Sequence, residues 1–125
     1  MGAFYVDCEV VNLQQQARKV TVSKLLVDSG SEYTWIPQAL LKQIGVRVFK
    51  KGVAFQMANG ATITRSIGYA LLRTSGFKTV DEVVFAQAGD LALLGSRTLE
   101  GFGAVIDARK KQLVAAGPYP AAPGG

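Results

Sequence analysis

Leu25-Leu26-Val27-Asp28-Ser29-Gly30-Ser31-Glu32-Tyr33-Thr34-Trp35-Ile36-Pro37 is the stretch on which the fold turns. An apolar run ends at an acid, a hydroxyl residue and a glycine. A β-prone run follows and stops at a proline. The pattern sets a carboxylate at the lip of a buried strand, on a turn that Gly30 lets fold tightly. By itself Asp-Ser-Gly is ordinary turn chemistry, so its weight depends on what surrounds it.

Before this stretch, residues 4–11 alternate with period two and read as a half-buried strand. Residues 17–27 form a second strand that feeds the Asp28 turn. After it, residues 37–45 predict a short helix, with Pro37 in the first turn, Gly45 just past the end and an apolar face of Leu40, Leu41 and Ile44. Strand-like runs at 53–57 and 61–67 flank Ala58-Asn59-Gly60, a tight-hairpin signal in which Asn59 and Gly60 are both expected at positive φ. Further strands are expected at 69–73, 77–80 and 83–86. The apolar run 91–94 ends in Gly95, and Ser96 is expected to cap a helical turn over 97–100. A last hairpin joins 104–107 to 112–114. Residues 117–125 are rich in Pro, Ala and Gly and predict a flexible tail. Short strands with frequent turns make the chain mainly β, a closed barrel or sandwich with one or two short helices.

Composition narrows the chemistry. With 125 residues, 49% hydrophobic and 18% charged, the chain is long and apolar enough for one core-bearing domain. No run approaches the roughly 20 apolar residues of a membrane span, and no basic-then-apolar leader opens the chain, so the expected location is cytoplasmic. Met1-Gly2 opens like a myristoylation signal, but Val6 stands where Ser or Thr is needed. The single cysteine, Cys8, rules out an intrachain disulfide and reads as an apolar filler of the first strand. Histidine is absent, which removes Ser-His-Asp and Cys-His catalysis and histidine-built zinc sites. The net charge of +5 is scattered, and Arg109-Lys110-Lys111 reads as a solvated turn. Asp7, Glu9, Asp81, Glu82, Asp90 and Glu100 read as solvated edges, turns or helix ends, without the clustering of a carboxylate metal site.

Three blocks together resemble the single-lobe, retropepsin-like aspartic proteases. They are the Asp28 segment, with Asp28, Ser29, Gly30, Ser31, Trp35, Ile36 and Pro37 on its pattern; residues 55–68, similar to a flap hairpin; and Leu93-Leu94-Gly95 followed by a helical turn and a terminal hairpin. The likeness covers nearly all of residues 3–116, and extends both to bacterial proteases of this type and to the retroviral-protease-like domain of DNA-damage-inducible ubiquitin shuttle proteins. It implies a protease domain over 1–116 that works as a homodimer, because aspartic protease chemistry needs two carboxylates and the chain carries one such triplet. Asp28 would be the catalytic acid, with Ser29, Gly30, Ser31, Leu93, Leu94 and Gly95 supporting its loop. Met57, Ala58, Asn59, Gly60 and Ala61 would form the flap tip over a peptide or protein substrate. The resemblance implies no metal and no cofactor, while the scattered charge and the lack of a long apolar run lead us to expect no nucleic acid and no membrane partner. It also suggests that Arg97 pairs with Glu32, although Arg97 is displaced by one position from the family pattern. Trp35 reads as core rather than as a substrate contact, and Asp107 as structural.

Two rivals belong to other classes. A dimeric peptide- or protein-binding module could keep this fold and cleave little or nothing, though a pure binder has no need of the Asp28 acid. A basic nucleic-acid-binding β-barrel rests on net charge alone; no basic face with aromatic interleaving accompanies it.

Overall fold

The computed structural model describes residues 3–122. Met1-Gly2 and the end of the tail, residues 123–125, lie outside the described residues, as do the expectations that fall on them.

The elements, in chain order, are β1 Tyr5–Val11, β2 Lys19–Val27, β3 Thr34–Pro37, α1 Gln38–Gln43, β4 Lys50–Gln56, β5 Thr62–Thr74, β6 Phe77–Ala86, β7 Leu93–Leu94, α2 Ser96–Phe102, β8 Ala104–Asp107 and β9 Gln112–Ala115. The chain is mainly β. Its large sheet runs β1-β2-β7-β3-β6-β5-β4, and a further pairing of β1 with β5 turns it into a ring. The ring is uneven. β7 contributes Leu93 and Leu94 beside β2, and a single pair, Trp35 with Leu93, joins it to β3. β8 and β9 form a separate hairpin.

Two pairs of expected strands are continuous. β5 runs for 13 residues through Gly68, and β6 runs for 10 through Asp81 and Glu82. Gly68 is no break: it pairs with Val83, and a Cβ there would sit 2.5 Å from the Arg47 carbonyl oxygen. Its place is set by close backbone approach. Length lets β5 serve three neighbours, pairing with β4 near its start, β6 beyond, and β1 near its end.

Strands buried on both faces send alternate residues to opposite sides. Ile36, Val83, Phe85 and Leu94 join the main core with Val10, Leu25, Leu41 and Leu72. Their neighbours Trp35, Val84 and Leu93 join a second cluster with Ile67, against which Tyr33 and Phe55 pack. Cys8 is fully buried in the main core, and burial pushes its thiol up to about 12.

α1 follows Pro37 as its N-cap, and Gly45 just beyond its end takes φ +76°. The Arg18 guanidinium lies over Gly45 and donates to the Gln43 carbonyl at 3.1 Å. α2 is longer than the expected turn, and Gly95, not Ser96, is its N-cap. Ser96 is already inside the helix, its N–H spent on the Ser31 carbonyl at 2.7 Å. Gly103, in the left-handed conformation, ends α2. Residues 117–122 carry no regular structure, and the Tyr119 hydroxyl donates to the Glu100 carbonyl at 3.3 Å. Among the described residues no helix is long and apolar enough to cross a membrane.

Candidate active site

Asp28 follows β2 directly. Its N–H donates to the Leu94 carbonyl at 2.9 Å, and its own carbonyl accepts the Ser31 N–H at 3.1 Å, closing the turn. The carboxylate is held from both sides: Oδ1 accepts the Gly30 N–H at 3.0 Å and Oδ2 accepts the Ser31 hydroxyl at 3.2 Å. Short-range bonds of this kind are what Asp-Ser-Gly-Ser chemistry favours. Here they orient the acid toward open space instead of ending a strand in solvent.

The loop is held from behind by the start of α2. Ser96 N–H donates to the Ser31 carbonyl at 2.7 Å and Arg97 N–H to the Glu32 carbonyl at 3.1 Å. Gly95 lets these segments cross, because a Cβ on it would collide with the Tyr33 and Glu32 carbonyls. The Gly95 N–H donates to the buried Thr34 hydroxyl at 3.0 Å. Thr34 meets the Thr98 hydroxyl, which donates to Asp81 Oδ2 at 2.8 Å. The turn therefore hangs from a chain of hydrogen bonds running into β6.

The hairpin of β4 and β5 faces this turn. Met57 N–H donates to the Ala61 carbonyl at 2.8 Å across a loop of Ala58, Asn59 and Gly60, and Gly60 N–H donates to the Met57 carbonyl at 2.9 Å. Gly60 takes φ +87°, while Asn59 is not at positive φ. The loop holds the three residues expected between the two strand-like runs, and the Asn59 side chain accepts the Ala61 N–H at 2.9 Å. Phe55 packs edge-on to Tyr33 at 5.4 Å and tilted to Trp35 at 5.0 Å, bringing the hairpin over the Asp28 loop. Between them lies a groove of about 670 Å³, a size suited to a ligand.

Two carboxylates expected to be solvated are instead structural. Glu82 is buried, 7% exposed, and splits its oxygens between two cations: Lys50 Nζ at 2.9 Å and Arg97 Nη2 at 3.0 Å. The Lys50 hydrogen bond first, then Arg97, holds its carboxyl below the usual range against the effect of burial. The expected Glu32–Arg97 pair is therefore replaced. Arg97 turns to Glu82, its guanidinium lying 4.7 Å over the Tyr33 ring. Asp90 receives a two-pronged contact from Arg65, Nε to Oδ2 at 2.7 Å and Nη2 to Oδ1 at 2.8 Å. That bond leads the causes that hold the Asp90 carboxyl low. It ties β5 to the loop before β7.

Of the residues singled out in the sequence, Asp28, Gly30, Ser31, Leu93, Met57 and Ala58 line the groove. Ser29 is exposed on the turn, Leu94 is buried in the main core, and Gly95 lies behind the loop. Asn59, Gly60 and Ala61 are exposed at the hairpin tip. Tyr33, Trp35, Val53, Phe55 and Leu91 also line the groove and were not singled out for it. Trp35 is both core and wall, 9% exposed. The signal for β4 was present: Val53, Phe55 and Met57 recur at period two and so share one face. Among the described residues no group of three His, Cys, Asp or Glu could hold a metal ion.

Residues 11–98 match the family model described as aspartyl protease, a span that takes in the Asp28 turn, the β4–β5 hairpin and the Leu93-Leu94-Gly95 segment. The chain belongs to this retropepsin-like aspartyl protease family. No curated protein matches it.

Proposed function

We propose that the chain is an aspartic endopeptidase that acts as a homodimer, with Asp28 of each copy meeting at a twofold axis. The observation that supports this most is the Asp28 carboxylate lining a groove of about 670 Å³, held by Gly30 and Ser31 on a turn that is itself pinned from behind. One such turn supplies one acid, and the reaction needs two, so a second copy completes the site. Residues 1–116 form the protease domain in this reading.

Two carboxylates in contact share one proton, since both cannot readily ionise. The ionised member takes a proton from a bridging water, whose oxygen attacks the carbonyl carbon of the scissile bond. The protonated member gives its proton to the carbonyl oxygen, forming a neutral tetrahedral diol. Collapse breaks the C–N bond as the nitrogen is protonated, and the dyad recovers its single proton. Ser29 reaches toward the partner's turn and braces the two loops. The β4–β5 hairpin serves as a flap that closes over the peptide and excludes water. Val53, Phe55, Met57 and Leu91 offer apolar surface to substrate side chains. The substrate is a peptide or protein, and the reading calls for no metal, cofactor, nucleic acid or membrane.

The test is peptide-library cleavage across pH, with and without a statine-type inhibitor, on wild type and Asp28→Asn. Cleavage in a bell-shaped pH profile, blocked by the inhibitor and reduced by at least about 10²-fold in the variant, is the expected result. An Asp28→Asn protein that cleaves at the wild-type rate would remove Asp28 from the mechanism. Binding of peptides without cleavage by either protein would make the chain a binding module.

A further inference from the structure

The groove differs in sign from the chain that forms it. The chain carries +5, yet the groove lining includes Asp28, Glu32 and Asp90 and, among the described residues, no lysine or arginine. Two of these acids have partners. Asp28 is held by Gly30 and Ser31, and Asp90 is neutralised by Arg65. Glu32 differs: it is exposed, and among the described residues no hydrogen bond or ion pair engages its carboxylate. The guanidinium that could have taken it, Arg97, is bound to Glu82. Its backbone is nonetheless fixed, since the Glu32 carbonyl accepts the Arg97 N–H at 3.1 Å. An unpaired carboxylate therefore projects from an anchored position beside the Asp28 turn.

We propose that Glu32 is a specificity-determining residue that selects substrates with a lysine or arginine close to the scissile bond. The inference rests on the protease reading above. A cationic side chain can lay its methylene stem along the apolar walls and carry its charged head to the groove edge. Tyr33 offers no competing site there, because Arg97 already lies over its ring. In a twofold dimer each copy adds one Glu32, so the preference applies on both sides of the cleaved bond. An exposed ion pair supports roughly a fivefold effect, weakened by salt.

The experiment uses one apolar peptide core with Lys, Gln or Glu placed in turn at each flanking position, cleaved by wild type, Glu32→Gln, Glu32→Asp and Glu32→Lys. Wild type is expected to favour Lys over Gln about fivefold in kcat/KM at one or more positions, mainly through KM and less at high salt. Glu32→Gln should bring that ratio close to one, Glu32→Asp should keep it, and Glu32→Lys should turn it toward Glu. Equal use of the three peptides by wild type, or an unchanged ratio in Glu32→Gln, overturns the proposal while leaving the protease reading intact. Fluorescence anisotropy of the same peptides on Asp28→Asn protein, with and without Glu32→Gln, reads the preference without turnover. If wild type cleaves nothing but Lys peptides bind through Glu32, the protease reading fails and the charge selection stands. If nothing is cleaved and nothing binds, both fail.

Discussion

Gly95 shows how much of the site depends on one missing Cβ. It is buried where the start of α2 crosses the loop after Asp28, and the Tyr33 and Glu32 carbonyls occupy the space a side chain would need. Both obstacles are backbone, so neither can rotate away. Gly95→Ala should therefore lower stability by about 2–3 kcal/mol, as overpacking does, measured by urea unfolding. Activity should drop further than stability accounts for, because Ser96 and Arg97 would be moved off the Ser31 and Glu32 carbonyls that hold the Asp28 turn. A variant with wild-type unfolding and cleavage would show that the crossing tolerates a methyl group.

At the scale of elements, the β4–β5 hairpin carries the mobile part of the proposed mechanism. Its tip residues 58–61 are exposed, while its stem is fixed by Phe55 on Tyr33 and Trp35 and by Arg65 on Asp90. Motion should therefore concentrate at the tip. Amide exchange near 57–62 is expected to be faster than in the stem, and to slow when a peptide inhibitor binds. Unchanged exchange at saturating inhibitor would count against a flap. Asp90→Asn should weaken the stem's anchor and extend fast exchange toward Arg65, with KM rising more than kcat falls.

At the scale of the whole molecule, two properties follow from charge and number. Glu82 joins β6 to Lys50 on β4 and Arg97 on α2, and Asp90 joins the loop before β7 to β5. Both carboxyls are held below their ordinary ranges in the fold. Their stabilising effect is thus present above the unfolded values, near 4, and is lost as pH falls through the lower folded ones. Tm should decline on acidification below about pH 4. Glu82→Gln should start roughly 2 kcal/mol less stable at neutral pH and lose less over that acid range. A wild-type Tm that is flat to pH 2 would contradict the assignment. In the proposed mechanism each chain supplies one acid, so activity is expected to depend on assembly. Specific activity should fall on dilution through the dimer dissociation range, and sedimentation should find dimer in samples that cleave. Monomer alone, cleaving in strict proportion to concentration, would refute the shared dyad.

Local chemistry made part of this protein legible in its sequence. Period-two alternation marked β1, Asn59-Gly60 marked the hairpin, Gly45 marked the end of α1, and Asp28 with its neighbours marked the turn and the family. These signals are local because backbone preference and short-range hydrogen bonds create them. The junction at Gly68 was misread as a break, since a glycine needed for a neighbour 21 residues away looks the same as one that ends a strand. Glu82 was read as solvated because its cations come from residues 50 and 97, which no spacing rule connects to it. For the same reason the expected Glu32–Arg97 partnership gave way to Glu82. The aromatic wall of Tyr33, Trp35 and Phe55 exists only once β4 folds over β3. Sequence alone determined the element types and the acid at the turn. Tertiary structure decided which charges are neutralised and which stay free, because pairing depends on distances between residues far apart in the chain.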